Sequence, residues 1–77
     1  MHKIDKIVTE TVSKILEIPN SGIKISSNFE NLKNFDSLNY VKIILEISKK
    51  LNLNLPLEEL SEVKSVKGLI KLISKYS

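Results

Sequence analysis

The stretch 35–51 most constrains the fold, because a helix start signal there precedes a long apolar run at helical spacing. Asp36 is a residue type that favours the N-cap position, and Phe35 and Tyr40 have the spacing of a hydrophobic staple. The stretch therefore predicts a helix that begins directly after Asp36 and ends near residue 51. Its apolar residues cover roughly 220° of the helical wheel, whereas a core-facing stripe needs only about 100°. One edge of this helix is therefore either covered by other helices or exposed to a partner.

Ser37 is predicted as the first residue of this helix, where the helix dipole is positive and backbone N–H groups lack acceptors within the helix. A phosphate esterified to its hydroxyl would lie near those N–H groups, a favourable position for an anion. A Ser-His-Asp triad would need His2 beside Ser37, and nothing in the sequence suggests this. Asp36 is adjacent in sequence and would point away from the serine. The sequence therefore predicts no catalytic residues and no enzyme.

The rest of the chain predicts three further helices. Apolar residues at helical spacing predict an amphipathic helix from residue 3 to about residue 17. Pro56 fits the first turn of a short helix over residues 57–60, and Ser65 can cap a last helix. We therefore predict one all-α domain over residues 1–77, a small four-helix bundle of three longer helices and one short helix.

Residues 18–35 form a long connection between the first two helices. Ile23 and Ile25 alternate with polar residues as in a strand, but no second strand is predicted, so both side chains are expected to be buried under the loop. A short turn is expected around Phe29. A loop this long is unusual in a small domain unless it has a function, and here it would bring Ser37 to the surface.

Composition excludes several other functions. The 77 residues include no cysteine and one histidine, so the sequence predicts neither disulfides nor a metal site. No segment approaches the roughly 20 apolar residues of a membrane span, and no signal-peptide pattern begins the chain, so a cytoplasmic protein is expected. The net charge of +3 comes from lysine without arginine. Arginine binds phosphates and base edges more specifically than lysine does. A nucleic-acid binder is therefore the weakest hypothesis, and it would use the stripe Lys64, Lys67, Lys71 and Lys75.

The tetrapeptide Phe35-Asp36-Ser37-Leu38 resembles the Asp-Ser-Leu signature of acyl carrier proteins and related peptidyl carrier domains. The resemblance covers the whole chain, with similar segments at Asn28-Phe29 and Leu32, at Leu55-Pro56 and at residues 63–73. It implies that Ser37 carries 4′-phosphopantetheine, added from coenzyme A by a magnesium-dependent phosphopantetheinyl transferase. Asp36 would help this transferase to engage. The thiol of the arm would hold acyl or aminoacyl groups as thioesters, so the carrier needs no cysteine of its own.

The resemblance also implies a partner surface on the second helix of a monomeric carrier. Leu38, Val41 and Leu45, with Lys42 beside them, would contact acyl-loading and acyl-processing enzymes, and the core would shelter a short acyl chain. Fatty-acid carriers of this family are strongly acidic, but here commonly acidic positions hold Asn39, Lys42, Lys49 and Lys50. The resemblance thus implies a carrier for fatty-acid or related biosynthesis, and this departure in charge favours a specialised polyketide or nonribosomal-type pathway. The alternative is an unmodified helical module that binds proteins through the apolar edge.

Overall fold

The computed structural model describes residues 3–77, and His2 lies outside the described residues. The helices are α1 (Lys3–Leu16), α2 (Ser37–Leu51), α3 (Leu57–Leu60) and α4 (Val66–Tyr76). This order confirms the all-α bundle of three longer helices and one short helix, with a long loop after α1. In the part of the chain that the structure describes, no helix is both long enough and apolar enough to cross a membrane.

One apolar core joins the three longer helices, because α1 packs against both α2 and α4. The fully buried side chains follow the helical spacing of the sequence, since positions three and four apart lie on one face. The fully buried apolar side chains of these helices are Val8, Val12 and Leu16 of α1, Ile43 and Ile47 of α2, and Val66, Leu69 and Ile73 of α4. The polar faces of the helices are left to solvent, as the amphipathic pattern predicts.

The helix ends differ slightly from the predicted ones. Helix α1 ends at Leu16, one residue before the predicted end, and the next residue, Glu17, has a positive φ of 57°. Pro56 directly precedes α3 and does not lie in its first turn. Ser65 caps α4 as predicted, since its Oγ accepts a hydrogen bond from the Gly68 N–H at 3.0 Å.

The long loop between α1 and α2 is held to the start of α4 by backbone hydrogen bonds. The Phe29 N–H donates to the Lys64 carbonyl at 2.9 Å, and the Val66 N–H donates to the Ser27 carbonyl at 3.0 Å. Two 3-10 turns lie within the loop, at Asn20–Gly22 and Phe29–Asn31. These hydrogen bonds hold the middle of the loop against the helical bundle.

The prediction that both loop isoleucines are buried is wrong for one of them. Ile23 is buried, but Ile25 is 42% exposed. The cause is a tight turn in which the Ser27 N–H donates to the Lys24 carbonyl at 2.9 Å. Residues two apart share a face only in an extended strand, so the turn separates the two side chains.

Candidate functional site

Ser37 lies at the first position of α2 with its side chain exposed. Asp36 is the N-cap, and its Oδ1 accepts a hydrogen bond from the Asn39 N–H at 2.7 Å. The first bond of the helix follows, from the Tyr40 N–H to the Asp36 carbonyl at 2.9 Å. Within residues 3–77, the N–H groups of Ser37 and Leu38 donate to no protein acceptor. The predicted cap is therefore confirmed, and two N–H groups beside the Ser37 hydroxyl remain free for an anion.

Three aromatic rings fix the path of the chain into α2. The ring centroids of Phe35 and Tyr40 lie 5.8 Å apart in an edge-on arrangement, which confirms the predicted staple. Phe29 stacks on Phe35 at 5.3 Å and contacts Tyr40 at 5.6 Å. Such aromatic pairs contribute about 0.5–1.5 kcal/mol each beyond burial. The sequence predicted the staple but not the buried ring of Phe29 beneath it.

Asn34 ties the end of α1 to the start of α2. Its Nδ2 donates to the carbonyl of Leu16, the last residue of α1, at 2.8 Å. Its own carbonyl accepts from Asn39 Nδ2 in the first turn of α2, also at 2.8 Å. Asn34 has a φ of 67°, a conformation that asparagine tolerates better than most residues. Sequence reasoning missed this residue, and that tolerance is the only signal that could have indicated it.

An apolar groove of about 460 Å³ lies between α2 and α3, and Ser37 itself lines it. Val41, Ile44 and Leu45 of α2 and Leu57 and Leu60 of α3 form much of its wall. Leu57 is 79% exposed, and no sequence pattern predicted its place near Ser37. The arrangement puts an exposed hydroxyl next to a surface that can accept an alkyl chain.

Helix α3 forms one wall of the groove and is fastened on two sides. The Tyr40 hydroxyl donates to the Leu60 carbonyl at 2.7 Å, and burial raises the pKa of Tyr40 to about 12. On the other side, the Glu59 carboxylate accepts from Lys75 Nζ at 2.9 Å and from the Tyr76 hydroxyl. The Tyr76 hydroxyl and the Lys75 ammonium lower the pKa of Glu59. These contacts hold a four-residue helix that has little core of its own.

Tyr40→Phe removes the bond to Leu60 and keeps the ring in the aromatic cluster. We expect the free energy of unfolding at pH 7 to fall by about 1 kcal/mol. The folded-state pKa of about 12 lies above the ordinary value of 10.0. The hydroxyl therefore stabilises the fold fully below about pH 10, and this contribution is lost as the pH rises towards about 12. Urea unfolding should show that the difference in free energy of unfolding between the two proteins becomes smaller over that pH range. A difference that stays constant would contradict the prediction.

The residues predicted to bind partners lie on the exposed side of α2. Leu38, Val41 and Leu45 are 65%, 50% and 60% exposed, and Lys42 is exposed beside them. Of the two alternatives for the apolar edge of this helix, the structure therefore selects exposure. No other helix within residues 3–77 covers that edge.

Three lysines of the predicted stripe lie on α4, while Lys64 precedes it, and one of the three forms an ion pair. Lys75 forms an ion pair with Glu59 of α3 at 2.9 Å, although no acid stands within the stripe itself. Lys67 and Lys71 are exposed. The packing of α3 against α4 places Glu59 beside Lys75, and the residue spacing within α4 alone could not predict this contact.

Comparison with known proteins agrees with this geometry. The family model for the phosphopantetheine attachment site matches residues 6–73. An acyl carrier protein of Rickettsia bellii is 30% identical over 81 residues, covering 99% of this chain and 92% of that protein. Acyl carrier proteins of Azobacteroides pseudotrichonymphae and Porphyromonas gingivalis are each 28% identical, over 78 and 75 residues. These alignments cover 100% and 97% of this chain, and 92% and 96% of the respective relatives.

The residues present fit a phosphopantetheine group. An exposed hydroxyl, two free N–H groups for a phosphate and an apolar groove for an acyl chain meet at the start of α2. Members of this family are carriers and not enzymes, and they bear the group covalently on a serine. The chain belongs to the phosphopantetheine-binding family of acyl carrier proteins.

Proposed function

We propose that Ser37 is the serine that bears 4′-phosphopantetheine. The observation that carries this proposal is the position of its exposed hydroxyl, at the first residue of α2 and on the wall of the apolar groove. A phosphodiester there is stabilised by the positive end of the helix dipole and by the free N–H groups of Ser37 and Leu38. The bound group supplies a thiol that holds acyl or aminoacyl groups as thioesters.

The neighbouring residues of the chain hold this serine in place. Asp36 fixes the first turn of α2 through its bond to the Asn39 N–H, and its carboxylate is exposed for recognition by a transferase. The stacked rings of Phe29 and Phe35 set the direction in which the chain enters the helix. Ser37 therefore sits on a rigid helix start, which a modifying enzyme can approach from solvent.

Incubation of the apo protein with coenzyme A, magnesium and a broad-specificity phosphopantetheinyl transferase tests the proposal. We expect a mass gain of about 340 Da, the mass of the arm that becomes esterified to the serine. Peptide mapping should place the added mass on Ser37. No gain with several transferases would contradict the proposal. That result would favour the unmodified interaction module that binds through Leu38, Val41 and Leu45.

Two variants of Asp36 separate its cap from its charge in the same assay. Asn is as good an N-cap as Asp, so Asp36→Asn retains the helix start and loses the carboxylate. Asp36→Ala loses both. Slower transfer to both variants would assign the carboxylate a part in transferase recognition. Slower transfer to the alanine variant alone would limit Asp36 to capping.

We further propose that this carrier serves a specialised polyketide or nonribosomal-type pathway in preference to general fatty-acid synthesis. The support is the charge of α2, where Lys42, Lys49 and Lys50 are exposed and would repel the basic surfaces that acidic fatty-acid carriers attract. Malonyl loading by a fatty-acid malonyl transferase should therefore be slower for the holo form than for an acidic fatty-acid carrier. Equal loading rates would contradict this assignment.

A further inference from the structure

Leucine and lysine alternate along one exposed row of α2. Leu38, Lys42, Leu45 and Lys49 are four, three and four residues apart, so their side chains lie in one line along the helix. All four side chains are exposed. We call this row of four residues the α2 ridge. It begins one residue after Ser37, so a protein bound to it lies next to the modified serine.

The positive charges of the α2 ridge are not neutralised by neighbouring acids. Glu46, the only acid within α2, forms an ion pair with Lys14 of α1 at 3.5 Å. Asp36 lies at the end of the ridge and accepts the Asn39 N–H. Lys42 and Lys49 form no ion pair within residues 3–77. The ridge therefore presents two apolar side chains and two uncompensated cations to a partner.

We propose that the α2 ridge binds a protein whose surface has an apolar depression flanked by carboxylates. Burial of Leu38 and Leu45 provides affinity, and the two lysines favour acidic partners and reject basic ones. The inference rests on the proposed function in one respect, namely that the docked partner acts on an arm at Ser37. The sign of the partner's charge follows from the ridge alone.

A surface of anionic lipid is the other occupant that offers apolar and negative groups together. It fits less well, because the ridge is narrow and holds only two cations, and several are usually needed for stable binding to anionic membranes. The exposed carboxylate of Asp36 at the end of the ridge would also face the lipid phosphates. A protein partner is therefore the occupant that the charges favour.

The probes are one phosphopantetheinyl transferase with basic residues on its carrier-binding face and a variant of it with those residues changed to glutamate. The Kd of each for the apo protein is measured by NMR titration without coenzyme A, so that binding is read separately from transfer. We expect the glutamate variant to bind about 10-fold more tightly than the basic form. Lys42→Glu/Lys49→Glu should reverse that preference, and added salt should reduce both differences.

The matched control is Lys67→Glu/Lys71→Glu, which changes the net charge equally on exposed lysines of α4. It should leave the preference for the glutamate variant in place. If both double variants lose the preference for the glutamate variant of the transferase, the preference depends on net charge alone, and this would overturn the inference. Equal Kd values for the two transferase faces, or no binding to either face, would also overturn it.

The remaining outcomes separate the two proposals. A mass gain on Ser37 with Kd values that ignore the charge of the transferase face would overturn the inference and leave the proposed function standing. Charge-dependent binding to the α2 ridge without any mass gain would support the inference and contradict the proposed function. Tighter binding to vesicles that contain phosphatidylglycerol than to the glutamate variant would assign the ridge to lipid and overturn the protein partner.

Discussion

Ser37→Ala is expected to abolish the mass gain of about 340 Da completely, because we propose that the phosphodiester forms through the Ser37 oxygen. The fold should be unaffected, since the Ser37 side chain is exposed and makes no hydrogen bond within residues 3–77. Alanine is also the best helix former. The free energy of unfolding should therefore change by less than about 0.5 kcal/mol. Mass spectrometry after incubation with coenzyme A and transferase gives the readout, and circular dichroism checks the helices.

Ser74→Ala is the matched control for this substitution. Ser74 is an exposed serine on α4, and its loss removes the same hydroxyl far along the chain from the start of α2. We expect the full mass gain in this variant. A mass gain in Ser37→Ala, or none in Ser74→Ala, would show that the arm is not attached where we propose.

The helices could be predicted because their start signals are local. The Asp36 carboxylate binds an N–H three residues ahead, and the Ser65 hydroxyl does the same for α4. A cap of this kind is complete within four consecutive residues, so the sequence contains all of it. The exposed edge of α2 was predictable for a similar reason, because a helix repeats regularly and an apolar surplus can be counted.

The loop and the groove could not be predicted, because they depend on contacts between distant residues. Asn34 reaches the Leu16 carbonyl, 18 residues earlier in the chain. Tyr40 bonds to Leu60, 20 residues later, and so sets the position of α3 against α2. Neither contact has a local pattern, since each exists only once the helices have packed. The sequence could therefore single out Ser37 as a candidate site but could not predict the wall of the groove beside it.

The position of Ser37 therefore depends on the loop as much as on α2. Local signals start α2 at Ser37, but the direction of the chain at that point is set by aromatic contacts from a residue eight positions earlier. Phe29 is that residue, and its backbone N–H is itself fixed to the Lys64 carbonyl before α4. One side chain thus links the loop, the start of α2 and the approach to α4.

Phe29→Ala is expected to lower the free energy of unfolding by about 3–5 kcal/mol, as for other large-to-small core substitutions. The ring is 1% exposed and contacts both Phe35 and Tyr40, so its loss leaves a cavity under the start of α2. Urea unfolding measures the change. The control is Leu57→Ala at an exposed position, which should lower the free energy of unfolding by less than about 0.5 kcal/mol. A loss below about 1 kcal/mol in Phe29→Ala would contradict the prediction.

The same variant separates stability from positioning at Ser37. Phe29 contacts the start of α2 through Phe35 and Tyr40, so any effect on the transfer of the arm must pass through these rings. Transfer is measured well below the unfolding midpoint, where nearly all of the variant is folded. We expect slower transfer there, because the cluster no longer fixes the direction of the chain into α2. Transfer at the normal rate to the folded variant would limit the cluster to holding the loop on the core.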